Sequence, residues 1–178
     1  MASETLPTPK VGGTSSTMAS DERPKGNPPQ VGVSAIILNR EGKVLVGKRI
    51  GSHGAGSWQF PGGKLDYGEA LLDCGVRESK EETMLDVEGV RIVAYTNDVF
   101  VSEGRHFITP FALCKMKDAD AEPMVMEKDK CESWSWWNLE KLFEGRDGDN
   151  IDGAPLFLPL FNLVQQFKDA DEFKKILQ

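Results

Sequence analysis

The features that are scarce in this sequence of 178 residues limit the classes of protein to which it can belong. It has three cysteines (Cys74, Cys114 and Cys131), which share no metal-type spacing and favour a reduced, cytoplasmic setting. No apolar run approaches the length that spans a bilayer, so we expect no membrane partner. Lys and Arg number 21 against 28 Asp and Glu, a net charge of −7, whereas binding bulk nucleic acid needs a positive surface. A small anionic ligand stays compatible, because a bound metal ion can supply local positive charge.

The N-terminal residues differ in composition from the rest of the chain. Residues 1–27 are rich in Pro, Gly, Ser and Thr and have almost no large apolar side chains, so we expect them to be disordered. They have neither the apolar stretch of a secretory signal nor the Arg-rich character of a transit peptide. The remaining residues, 28–178, are enough for one domain with a buried core.

The most informative stretch is Gly63 to Leu85, GKLDYGEALLDCGVRESKEETML, with the spacing G-x5-E-x7-R-E-x-x-E-E. Its composition predicts a helix over about 70–84. On such a helix Glu81 and Glu82 lie within about 60° of Glu78. Clustered like charges disfavour a helix, so three carboxylates on one strip need a compensating cation. Hard divalent ions such as Mg²⁺ take oxygen ligands and bridge carboxylates to phosphates.

The residues before this helix strengthen that interpretation. The run Phe60-Pro61-Gly62-Gly63 predicts a tight turn whose glycines let the backbone approach a ligand closely. Glu69 stands at the helix entrance, where it can cap amides or pair with Arg77. The helical wheel places Arg77 on a third, solvated face of the helix. The alternative is a solvated, charge-laced helix in which Arg77 pairs with Glu81. Turn, entrance carboxylate and carboxylate cluster together favour a metal–phosphate site.

The stretch resembles the signature of the Nudix hydrolases, metal-dependent enzymes that cut nucleoside and other diphosphate linkages. Two positions depart from the usual pattern: Ser79 stands where an aliphatic residue is commonest, and Met84 replaces a glycine near the helix end. Because Met84 cannot easily adopt a left-handed conformation, we expect the helix to run on or end differently. The resemblance covers roughly residues 31–167 and looks closest to the MutT-like branch with human thiopurine-nucleotide and plant oxidised-nucleotide hydrolases.

The remaining pattern predicts an α/β fold, an α/β/α sandwich of the Nudix type with a mixed central sheet. Pro110 suggests a bulge or an edge position, and Asn138 can cap a short helix. Strands are predicted at 31–38, 43–47, 58–60, 91–100, 106–116 and 132–137, with helices from 138 to 143 and from Pro159 onward.

The resemblance implies a role for each acidic residue of the site. Glu78, Glu81 and Glu82 would hold roughly two or three Mg²⁺ ions, with Mn²⁺ as an alternative. Glu81 or Glu82 would take the proton of the attacking water, and the sequence does not choose between them. The further assignments are Arg77 and Glu69 as orienting residues, the Gly62 and Gly63 backbone in the metal or phosphate shell, and Glu127 as a further metal ligand with Asp129 as the fallback.

Substrate-binding residues follow from the same resemblance. Arg49 is the expected phosphate contact, although it can also simply end a strand in solvent. By the same resemblance, the expected nucleobase pocket includes His106, Thr109 and Trp136. The alternative is that the aromatic side chain of Trp136 belongs to the core.

The resemblance thus implies a pyrophosphohydrolase that converts (deoxy)nucleoside triphosphates, including oxidised purine forms such as 8-oxo-dGTP, to monophosphate and pyrophosphate. The alternatives are an isoprenoid diphosphate or nucleotide-sugar hydrolase, and a nucleotide-sensing Nudix module without turnover. The expected partner is a small nucleotide, and a homodimer is compatible with it.

Overall fold

A mixed sheet of seven strands organises the computed structural model, which describes residues 28–51 and 53–178. The predictions made for residues 1–27 lie outside the described residues. The strands are β1 (Gln30–Leu38), β2 (Val44–Arg49), β3 (Trp58–Gln59), β4 (Gly62–Lys64), β5 (Val87–Phe100), β6 (Arg105–Met116) and β7 (Cys131–Trp137). The helices are α1 (Leu71–Thr83), α2 (Leu139–Phe143), α3 (Leu158–Val164) and α4 (Ala170–Lys175).

The sheet has the order β3-β2-β1-β6-β5, with β4 paired to β1 and β7 paired to β2. Only the β1–β6 pair is parallel among these pairings, so the sheet is mixed as predicted. Strand β4 places Gly62 and Gly63 opposite Ser34 and Val33 of β1. The glycine turn is thereby attached to the centre of the sheet, directly beside α1.

Helices cover both faces of the sheet, which confirms the sandwich. Side chains alternate along β1, so that Val33, Ala35 and Ile37 face one core while Ile36 faces the other. Helix α1 packs on the first face through Cys74 and flanking apolar residues. The other helices pack on the second face, where the core includes buried residues from each of them, namely Leu139, Leu142, Leu160, Leu163, Val164 and Phe173.

The end of α1 corrects one prediction. The helix ends at Thr83, and Met84 adopts the left-handed conformation with φ 64° that a glycine would take more easily. The Met84 N–H bonds to the carbonyl of Lys80, and the Lys80 ammonium returns to the carbonyl of Met84 at 3.1 Å. Local hydrogen bonds therefore hold the strained cap that the sequence argued against.

Other elements differ from the predicted ones in detail. Strand β5 starts at Val87 rather than 91, and β4 and α4 were not predicted. Asn138 does occupy the N-cap position of α2, but its side chain makes no capping hydrogen bond. Pro110 lies in β6 between β1 and β5, so it is not on an edge, and it falls where the ladder to β1 has no partner between Ile108 and Phe111.

Within the described ranges, no helix combines the length and apolar character needed to cross a bilayer.

Candidate active site

Arg77 lies at the centre of a carboxylate cluster on α1. Its Nε and Nη2 donate to the two carboxylate oxygens of Glu69 at 2.8 and 3.0 Å. Its Nη1 donates to Glu78 at 2.7 Å and to Glu81 at 3.2 Å. The hydrogen bonds from Arg77 lower the pKa of Glu69 to about 2. Arg77 is therefore not on a solvated face, as the helical wheel suggested, but holds three carboxylates, including the expected partner Glu69.

Glu82 is the buried member of the cluster, with 7% of its surface exposed. Its Oε2 accepts a hydrogen bond from the backbone N–H of Gly62 at 3.0 Å. Burial, together with the charges of Glu78 and Glu127, raises the pKa of Glu82 to about 8. Without a bound cation, this carboxylate is therefore held in a place that disfavours its charge.

Glu78 lies directly against the glycine turn. A Cβ atom added to Gly63 would overlap the Glu78 carboxylate, and one added to Gly62 would overlap the carbonyl of Val33. Burial raises the pKa of Glu78, although Arg77 opposes that shift. Gly63 is thus needed for the close approach of Glu78 to the turn, and Gly62 is needed for the close approach of the turn to β1. The predicted approach of these glycines to a ligand stays a prediction.

Glu127 reaches the cluster from a segment that crosses the end of α1. The N–H groups of Met124 and Met126 donate to the carbonyls of Thr83 and Glu82 at 2.9 and 3.2 Å, which fixes this segment. Glu127 pairs with the ammonium of Lys130 at 2.7 Å. Neither Glu127 nor the fallback residue Asp129 lines the cleft beside the cluster, but the charge of Glu127 raises the pKa of Glu82.

The donor set suits a hard divalent cation. Glu78, Glu81, Glu82 and Glu127 supply carboxylate oxygens only, and the charges of Glu78 and Glu127 both act on Glu82. Among the residues that the structure describes, no three such groups converge closely enough to form a ready-made metal cage. Arg77 and Lys130 now pair with Glu78 and Glu127, so a cation would exchange with these ammonium and guanidinium contacts.

A cleft of about 340 Å³ extends from this cluster across the sheet. Glu78, Glu82, Gly62 and Gly63 line it at the acidic end. Another part of the lining is aromatic. There the ring of His53 lies 4.6 Å from Phe100 and 5.3 Å from Phe157, Phe100 lies 5.4 Å from Phe157, and Phe107 packs alongside. The volume lies at the lower end of the range for small-molecule sites.

Arg49 lines the same cleft. The β2–β7 register is irregular between Lys48 and Arg49, where β2 ends. Arg49 donates from Nε to the His53 carbonyl at 2.9 Å and from Nη1 to the side chain of Gln59, and its guanidinium carbon lies 4.4 Å from the centre of the Phe157 ring. Burial lowers the pKa of Arg49, while the Glu82 charge raises it. The structure thus brings this cation to the cleft rather than leaving it in solvent.

Only one of the three predicted nucleobase residues lines the cleft. Thr109 does so, together with Phe107 on the same face of β6. His106 faces the other way, because strand side chains alternate, and pairs with Asn97 at 2.6 Å. Trp136 packs on the α1 side of the sheet and donates to Glu122 at 3.3 Å. The expectation that His106 and Trp136 reach the pocket does not hold.

The aromatic residues that do line the cleft were missed. Phe100 ends the NDVF run, Phe107 shares the parity of Thr109, and Phe157 precedes the helix that begins near Pro159. Because Phe107 and Thr109 are two residues apart on β6, their side chains face the same side, and this alternation could have indicated Phe107. His53 and Phe157 come from loops, whose convergence no local pattern predicts.

Comparisons with known proteins agree with this geometry. A family model described as NUDIX domain matches residues 28–159. A MutT Nudix hydrolase from Burkholderia pseudomallei is 31% identical, with 64% of this chain and 85% of that chain covered and a TM-score of 0.56. A MutT protein from Methanosarcina mazei (24% identity, 84% and 93% covered, TM-score 0.61) and an ADP-ribose pyrophosphatase from Streptococcus suis (23% identity, 84% and 90% covered, TM-score 0.53) share the fold.

The family match spans the glycine turn, the Arg77 network and the carboxylates of α1, which are the parts that the cleft brings together. The chain belongs to the NUDIX family and is a Nudix hydrolase that acts on phosphoric anhydrides.

Proposed function

We propose that this enzyme is a divalent-metal-dependent pyrophosphohydrolase of (deoxy)nucleoside triphosphates, with purine forms, including oxidised ones such as 8-oxo-dGTP, as the preferred substrates. The observation that supports the proposal is that one cleft joins an acidic end, at Glu78 and Glu82, to an aromatic end that contains a polar side chain, Thr109. A triphosphate and a flat base need these two environments at the two ends of one site.

The aromatic end argues for a ring rather than an isoprenoid chain. A purine can stack on Phe rings and needs hydrogen-bond partners at its edge. Arg49, Thr109 and Arg105 provide polar groups along the cleft, whereas an isoprenoid chain would favour a wholly apolar tunnel. Arg49 lies between the carboxylates and the rings, and we propose that it contacts the phosphates.

In this reaction, the glutamates of the site and Arg77 would have different roles. A divalent cation held by Glu78, Glu82 and Glu127 would neutralise the phosphates and polarise the phosphorus centre. Arg77 orients Glu78 through its hydrogen bond and is itself fixed by Glu69. Glu81, whose side chain is 55% exposed, has room to reorient and takes the proton of the attacking water. Glu82, fixed by the Gly62 N–H, serves as a ligand.

A substrate panel with Mg²⁺ tests this proposal. We expect kcat/KM for dGTP or 8-oxo-dGTP to exceed the values for geranyl diphosphate, ADP-ribose and a UDP-sugar by about tenfold or more. A tenfold advantage for any of the last three would contradict the nucleotide assignment while leaving the family membership intact. Tight nucleotide binding without turnover would instead indicate a sensor.

A further inference from the structure

Beneath the cleft lies a second carboxylate site that the proposed chemistry does not use. Asp98 of β5 is fully buried. Its Oδ2 accepts hydrogen bonds from the hydroxyls of Thr96 at 2.8 Å and Thr109 at 2.5 Å, and its Oδ1 accepts from the side-chain amide of Asn162 at 2.8 Å. A buried carboxylate is costly unless several donors satisfy it. These three donors, from β5, β6 and α3, satisfy it.

The chemistry of these contacts fixes the direction of the Thr109 hydroxyl. A carboxylate can only accept hydrogen bonds, and a threonine hydroxyl has one proton and two lone pairs. Thr109 must therefore give its proton to Asp98. Thr109 also lines the cleft, near Phe107 and Phe111 of the same strand face. What it offers to a ligand in the cleft is a lone pair, that is, an acceptor and not a donor.

We infer that Asp98 is a positioning residue that sets substrate specificity, by making Thr109 select a base whose edge carries an N–H donor. This inference rests on the proposed function and narrows its substrate class. Guanine and adenine nucleotides carry amino or ring N–H groups on their edges, whereas unsubstituted purine has the same flat ring without an exocyclic amino group or a protonated ring nitrogen at that edge. A prenyl diphosphate has no donor at all.

The test compares dGTP with the triphosphate of unsubstituted purine deoxyriboside. Leaving a buried acceptor without its donor costs roughly a factor of 10 to 100, so the wild-type ratio of kcat/KM values should favour dGTP by about that factor. Thr109→Val keeps the shape and removes the acceptor, so the ratio should fall to within about threefold of one. Thr109→Ser keeps the hydroxyl and is the matched control, which should preserve the preference.

The role of Asp98 is tested by moving its charge. In the double variant Asp98→Asn with Asn162→Asp, the amide introduced at position 98 can donate to the carboxylate at position 162 and still accept from both threonines. This exchange should preserve the preference for dGTP. Asp98→Ala releases the Thr109 proton toward the cleft, so its ratio should fall as in Thr109→Val. Thermal unfolding of each variant identifies loss of fold. A preference for dGTP that survives in folded Asp98→Ala would overturn the role of Asp98, and so would its loss in the folded exchanged pair if Asp98→Ala does not fold.

Two outcomes would overturn the inference alone. One is efficient hydrolysis of both triphosphates with no preference in the wild type. The other is a preference for dGTP that survives Thr109→Val. Failure to hydrolyse either triphosphate, with turnover of another diphosphate, would instead refute the proposed function together with the inference.

Discussion

At the scale of single residues, glutamates of one short stretch occupy different environments. Arg77 donates two hydrogen bonds to Glu69 and lowers the pKa of Glu69 to about 2. Burial, in contrast, raises the pKa of Glu82 to about 8. Glu81 is half-exposed and accepts a hydrogen bond from Arg77. Because environment and not residue type separates them, we expect their substitutions to have different consequences.

Glu82→Gln should lower turnover by about 100-fold or more, because it keeps the side-chain shape but removes a negative charge from the acidic end of the cleft. The amide oxygen can still accept the Gly62 N–H, so the melting temperature of the metal-free protein should not fall. Steady-state kinetics and thermal unfolding check both points. Glu132→Gln, at an exposed residue paired with Lys48 at 3.2 Å, is the control. Full activity in Glu82→Gln would refute the site.

Arg77→Lys tests the orienting role of the guanidinium. An ammonium cannot donate to Glu69, Glu78 and the carbonyl of Lys64 in the same planar arrangement. We expect kcat to fall about tenfold or more and the melting temperature to drop. The exposed Arg40→Lys, which pairs with Asp120, should change neither. Unchanged kcat in Arg77→Lys would show that Glu78 needs no such partner.

At the scale of elements, the carboxyl end of α1 carries strain. Met84 is left-handed with φ 64°, a conformation that costs a non-glycine residue about 1 kcal/mol or more of folding free energy. A glycine avoids this cost, but it offsets part of the gain because it gives the unfolded chain more conformational entropy. Met84→Gly should therefore stabilise the protein by up to about 1 kcal/mol. Urea unfolding measures this change, and Met84→Ala should not stabilise. A clearly destabilised Met84→Gly protein would contradict the account of this cap.

Some elements of the fold and of the cleft can be predicted from the sequence, and others cannot. Helix α1, the sheet class and the glycine turn follow from local periodicity and turn residues, and the structure contains them. The approach of Glu78 to Gly63 also follows, because turn and helix are close in sequence. The aromatic end of the cleft does not, since Phe100, Phe107 and Phe157 meet only through tertiary packing. The Trp136 prediction failed because the resemblance did not indicate which face of β7 the side chain occupies.

At the scale of the whole molecule, stability should depend on pH and metal together. The pKa of Glu82 is raised in the folded protein from 4.5 to about 8. Its contribution to stability is therefore complete below about pH 4.5 and is lost as the pH rises through about 8 in the metal-free protein. A bound cation favours the ionised form, so the rise in melting temperature that Mg²⁺ causes should be larger at about pH 8 than at about pH 6.

Calorimetry with and without Mg²⁺ checks this dependence, and Glu82→Gln should remove most of it. An equal effect of Mg²⁺ at both pH values in the wild type would show that Glu82 does not couple to the metal.

The cytoplasmic location, a homodimeric assembly and the disorder of residues 1–27 stay predictions.

We propose that the acidic end of the cleft performs metal-dependent cleavage of a nucleoside triphosphate to monophosphate and pyrophosphate. The most direct measurement is phosphorus NMR of the products formed from dGTP by the wild-type enzyme with Mg²⁺, and again with excess chelator. We expect equal amounts of dGMP and pyrophosphate with Mg²⁺, and no turnover in chelator. Formation of dGDP and orthophosphate, or undiminished turnover in chelator, would contradict it.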